Sequence, residues 1–164
     1  MRLLFKKKIN HYQAEGLPVV YLDESGFVHD MPRSHGYSPI GQRCYGVHDW
    51  KAYGRTNAIG ALIGSRLITV SLFLTNIDAL IFKSWLVQDL LPKLPTQSII
   101  VMDNATFHKT AEIKCIIEEA GHILEYLPPY SPDLNPIEKK WAHAKTIRKT
   151  FQCNIDELFQ HYAM

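Results

Sequence analysis

The chain has 164 residues, 46% hydrophobic and 11% aromatic, the size of one ordinary domain with enough apolar side chain for a real core. Lys and Arg exceed Asp and Glu by only two charges, so composition alone does not announce a nucleic-acid partner. Three cysteines, Cys44, Cys115 and Cys153, show no CxxC spacing, which argues against a zinc site or a disulfide framework. No apolar run reaches transmembrane length, and a cytoplasmic protein without a membrane partner is expected.

Residues 1–17 read as a basic helical lead-in or linker remnant that breaks at Gly16 and Pro18, with the main domain over 18–164. Val19 to Leu22 is a short continuous apolar run, as in a strand buried on both faces, with Asp23 at its carboxyl end. From Phe27 to Arg55 the chain is rich in Gly, Pro, His and Tyr and reads as an irregular loop holding at most a small hairpin. Asn57 to Ile63 and Leu67 to Leu74 then predict two antiparallel strands around a turn at Gly64, Ser65 and Arg66.

Thr75 or Asn76 is the expected cap of a helix running to about Leu91, with Leu80, Trp85, Leu86 and Leu90 inward. Ser98 to Met102 predicts a buried strand ending at Asp103, followed by a helix from about Thr110 to Ala120 and a strand from His122 to Leu127. After PPYSPDLNP, a helix from Pro136 to about Phe151 turns Ile137, Trp141, Ala144 and Ile147 inward, and a short helix around Ile155 to Tyr162 follows. A hairpin followed by crossover units implies an α/β fold, a mixed five-stranded sheet with helices on both faces. In it the first and fourth strands lie parallel, with Asp23 and Asp103 side by side.

Asp23, Asp103 and Glu138 are the candidate metal ligands. Three carboxylates converging from distant segments suit hard divalent cations and two-metal phosphoryl transfer. Each has a plainer local reading. Asp23 and Asp103 are also ordinary strand-ending turn residues, and Glu138 stands at the capping-box position behind Asn135 and Pro136.

The blocks DESGF at 23–27, DNATFHK at 103–109 and LPPYSPDLNPIE at 127–138 resemble, in order, those of DDE transposase catalytic domains. The resemblance is to the bacterial insertion-sequence branch of the mariner superfamily, within the ribonuclease H-like superfamily. It covers about residues 18 to 151, and thirty-four residues separate Asp103 from Glu138, the spacing for which that branch is named. GYSPIGQR at 36–43 resembles the loop that follows the family's first Asp.

The resemblance implies Asp23, Asp103 and Glu138 as the catalytic triad, holding two Mg2+ or Mn2+ ions with Asp23 between them. It implies DNA strand cleavage and strand transfer at transposon ends, a homodimer in the active complex, a TA target, and a bacterial, nucleoid-associated location. Family members carry upstream helix-turn-helix modules that no segment here resembles, so a separate helix-turn-helix subunit is one expected source of end recognition, and a truncated remnant the other possibility.

Around the triad, Glu24, Asn104, His108 and Asn135 are expected to support it, Glu24 from the opposite side of an extended strand. Tyr130 and its neighbouring prolines are expected to stiffen the turn that aims Glu138. Lys139, Lys140, Lys145, Arg148 and Lys149 read as a phosphate-contacting series on the helix after Glu138, against the plainer reading of a solvated helix face. His29, His35 and His48 match no zinc spacing. Rival functions are a ribonuclease H-like or resolvase-type nuclease and a non-catalytic DNA-binding remnant.

Overall fold

The computed structural model describes residues 1–30, 37–43, 54–104 and 111–161. His35, Cys44, His48, His108 and the expected starting point of the second long helix at Thr110 lie outside them. The elements run α1 (Arg2–Ala14), β1 (Val19–Val28), β2 (Arg55–Ile63), β3 (Arg66–Phe73), α2 (Ala79–Trp85), β4 (Ile99–Met102), α3 (Ala111–Glu119), β5 (Ile123–Tyr126), α4 (Ile137–Phe151) and α5 (Ile155–His161). They build a mixed five-stranded sheet in the order β3-β2-β1-β4-β5, the ribonuclease H-like arrangement. The first three strands pair antiparallel, while β4 runs parallel to both β1 and β5.

Strand alternation divides the core into layers. Val20 and Leu22 of β1, with Ile59, Ala61, Ile100 and Met102, pack against Phe82, Trp85, Ile113 and Ile117 of α2 and α3. On the other face Phe27, Ala58, Leu62 and Leu67 meet Ile137, Trp141 and Ala144 of α4 and Leu158 and Phe159 of α5. Further along that face, Val19, Ile99, Val101 and Leu127 pack against Ile9 of α1. The basic lead-in is therefore a helix seated on the sheet, held also by ion pairs of Arg2 with Asp133 and Lys8 with Glu125.

Two elements differ from expectation, and the first of them bears on the site. β1 does not end at Leu22; it continues to Val28 because β2 supplies backbone partners as far as Val28 opposite Arg55. Asp23 is thus a mid-strand residue rather than a turn residue. Gly26 belongs to this extension, paired with Asn57, and the Arg55 side chain passes over it, Nε 2.0 Å from where a Cβ would stand.

The α2 cap is Asp78, whose Oδ1 accepts from the Ile81 N–H at 2.8 Å, rather than Thr75 or Asn76. Leu80 stands in the first turn, 70% exposed, because the inward stripe is Phe82, Trp85, Leu86 and Leu90. After Trp85 the helix widens into a π turn over Leu86–Leu90 and tightens into a 3-10 turn over Leu91–Lys93 at Pro92.

Candidate active site

The parallel register places the first two acids. β1 and β4 pair at Val19 with Ile99, Val20 with Ile100 and Tyr21 with Val101, and there the pairing stops. Asp23 and Asp103 each stand two residues further on, so both project to the face that carries Tyr21 and Val101, where α1 and α4 pack. The end of β4 opens a notch in the sheet at this point, and β1 runs past it. That is the crevice at strand carboxyl ends where ligands bind in sheets of this kind.

Glu138 arrives from α4. One helical turn later Trp141, 1% exposed, packs directly over Gly60, the β2 partner of Asp23. A Cβ at Gly60 would lie 2.6 Å from the Trp141 ring, so only glycine lets α4 come this close to the strand beside Asp23. In the sequence the signal is a glycine inside the apolar run AIGALI of this strand. It went unread.

The turn before α4 is tied down by its backbone. Leu127 N–H donates to the Met102 carbonyl at 2.9 Å, Leu134 N–H to Ser131 at 3.1 Å and Asn135 N–H to Pro132 at 2.9 Å. The last bond takes the N–H that a capping box would have given to Glu138, and α4 has no side-chain cap. Asn135 instead lies buried, its Nδ2 donating to the Leu22 carbonyl at 3.5 Å, which joins the turn to the residue before Asp23. Glu138 itself is exposed.

Asp23, Asp103, Asn104, Leu127 to Pro132, Asn135 and Glu138 line one cleft of about 290 Å³. Oδ2 of Asp23 is buried with no hydrogen-bond partner among the described residues. Burial, then the charge of Glu138, then that of Asp103 push its pKa up to about 7, against a backbone hydrogen bond at Glu24 that lowers it. A buried carboxylate oxygen lacking a partner, facing two further carboxylates, is costly unless a cation completes it. The donor set is all oxygen, which fits a hard divalent ion. Among the described residues no three such side chains stand close enough together to hold a metal ion as they are.

The supporting and basic residues divide. Asn104 lines the cleft, while Glu24 belongs to the face of β1 that carries Val20 and Leu22, opposite Asp23. Lys139, Lys145 and Lys149 are exposed and Lys140 is half-buried. Arg148 corrects the sequence reading: it is 6% exposed, and its guanidinium donates to the Val28 carbonyl at 2.6 Å and the His29 carbonyl at 3.5 Å. It fastens α4 to the end of β1. Lys145 stands over Phe27, its Nζ 5.5 Å from the ring centroid.

Residues 18–158 match the family model of the DDE superfamily endonucleases. The chain belongs to that family. Its fold is shared with the Mos1 mariner transposase. The Mos1 strand transfer complex superposes with a TM-score of 0.68 at 19% identity, over 94% of this chain and 53% of that one. The Mos1 paired-end complex with Mg gives a TM-score of 0.70 at 16% identity, over 97% and 51%. The isolated Mos1 catalytic domain gives 0.62 at 15% identity, over 94% and 73%. This DDE endonuclease chain therefore spans about half the length of the Mos1 chains in the DNA complexes. No protein of curated function matches its sequence. Among the described residues no helix is long and apolar enough to cross a membrane.

Proposed function

We propose that the chain is the catalytic domain of a transposase, which cuts DNA strands at element ends and joins the released ends to target DNA. The observation that carries this reading is the cleft itself: the register delivers Asp23 and Asp103, Gly60 admits the helix bearing Glu138, and Asp23 keeps a buried carboxylate oxygen without a hydrogen-bond partner among the described residues. Asp23, Asp103 and Glu138 would together hold two Mg2+ or Mn2+ ions. When bound, such ions activate the attacking oxygen and stabilise the charge on the phosphoryl group and the departing oxygen.

In the first reaction a water oxygen attacks phosphorus and the P–O3′ bond breaks, leaving a 5′ phosphate and a 3′ hydroxyl. In the second, that hydroxyl attacks a target phosphodiester, so one P–O bond again forms as another breaks. The chain's own residues hold the acids in place. Trp141 on Gly60 fixes the α4 position, Asn135 ties the preceding turn to β1, and Arg148 anchors the far end of the helix.

Seven and eleven residues after Glu138, Lys145 and Lys149 return to its face of α4, about 10 and 16 Å along the axis. These two cations would follow a DNA backbone away from the cleft. Lys139 and Lys140 point to other faces. Mos1 transposase forms paired-end and strand transfer complexes and has been seen with Mg and with Mn, which supports the same reading; the active complex would be a homodimer on DNA.

Nicking of supercoiled plasmid by the purified chain, with Mg2+ or Mn2+ and beside an Asp103→Ala control, tests the proposal. Metal-dependent nicking that disappears in the control is expected. Equal nicking by the control would refute the assignment.

A further inference from the structure

Tyr130 is out of keeping with its surroundings. It lines the cleft with the three acids, yet its side chain is 98% exposed, and its backbone sits at φ +53°. A turn position following proline with positive φ ordinarily holds glycine or asparagine, and a bulky side chain there is strained. Folding gains no burial from this ring and carries backbone strain to keep it. The strain is held firmly: Pro129 precedes Tyr130, Ser131 is buried with its Oγ donating to the Pro129 carbonyl at 3.1 Å, and Pro132 opens the next turn. A backbone held in this way fixes the point from which an exposed aromatic ring leaves the cleft lining, so less remains to be ordered on binding.

We infer that Tyr130 is a stacking platform for a nucleobase adjacent to the reacting phosphate, an inference that rests on the transposase reading of the cleft. The phosphate itself belongs to the carboxylates and their cations. What lies next along the strand is a sugar and a base, and an uncharged ring with an open face favours the base, which stacks whatever its identity. A duplex hides its bases from such a ring, so Tyr130 requires an end that is frayed or single-stranded at this point. The residue thereby selects for opened ends without reading their sequence.

A cycle between protein and DNA variants tests this. Binding of a 3′-overhang oligonucleotide is measured by anisotropy, with Ca2+ in place of Mg2+, for wild type, Tyr130→Phe and Tyr130→Gly. An abasic site is placed in turn at each overhang position. Stacking predicts that one position costs wild type and Tyr130→Phe ~10-fold in affinity and costs Tyr130→Gly almost nothing. Tyr130→Gly should also melt at or above the wild-type temperature, because glycine relieves the left-handed strain. A uniform loss of affinity for every oligonucleotide would show that Tyr130 only shapes the turn, and would overturn the inference while leaving the catalytic reading intact. Wild type that neither binds the overhang nor nicks plasmid would overturn both.

Discussion

Asp23 lies directly opposite Gly60 across the β1–β2 ladder, and Gly60 is where the ring of Trp141 rests. One pairing therefore links the first acid of the site to the helix that carries the third. Asp23 is held by the strand, Glu138 by a helix whose distance from that strand is set by the absence of a side chain.

Gly60→Ala should consequently damage the site from behind. The added methyl would meet the Trp141 ring at 2.6 Å and must push α4 outward. Overpacking of this kind costs about 1–3 kcal/mol and would carry Glu138 with the helix. Urea denaturation should show the lost stability, and plasmid nicking should fall by more than the unfolded fraction explains. Combining it with Trp141→Leu should recover part of both, since the two changes share one contact. Additive losses would show that the contact does not set the helix position.

The raised pKa of Asp23 makes metal-free stability depend on pH. The group binds its proton up to about pH 7 in the folded chain and to about 3.8 in the unfolded one, so the folded state holds more protons between those values. Stability from this group is full below about pH 4 and is lost as pH rises to about 7. Asp23→Asn, which cannot ionise, should match wild type near pH 4 and exceed it at pH 8 when chelator is present. Mg2+ at pH 8 should stabilise wild type and leave Asp23→Asn unmoved. Chelated denaturation curves at the two pH values decide it, and parallel pH dependence in the two proteins would contradict the assignment.

How much of this was legible beforehand varies with the kind of signal. The strands around Asp23 and Asp103 showed as apolar runs, and the three blocks in order pointed to one family. The extension of β1 did not show, because Glu24, Ser25 and Gly26 look like a turn until β2 supplies partners. Arg148 was hidden by its neighbours. It sits in a basic run, and only the inward stripe of Trp141 and Ala144 continued one turn, together with the carbonyls of Val28 and His29, gives it a buried place. The π turn after Trp85 left no mark in the sequence, since local composition there is that of an ordinary helix.

The basic residues of α4 should separate in experiment as they do in space. Lys145→Ala with Lys149→Ala should weaken DNA binding and lower the slope of log affinity on log salt by about 1–2, as expected when two phosphate contacts are removed. Lys139→Ala with Lys140→Ala should change that slope little. Arg148→Met should leave the slope unchanged but destabilise the fold by about 2–3 kcal/mol, the order expected when buried charge-assisted hydrogen bonds are lost. Salt titrations of oligonucleotide binding, beside urea denaturation, check all three. Equal slopes for the two lysine pairs would contradict the placement of DNA along the Glu138 face.

The most direct test of the central claim is anomalous diffraction from crystals of the chain grown with Mn2+. The account predicts manganese in the cleft, coordinated by Asp23 together with Asp103 or Glu138, and its loss in an Asp23→Asn crystal of unchanged fold. Manganese bound elsewhere, or a cleft that stays free of it at saturating concentration, would contradict the assignment of these three carboxylates to one metal site.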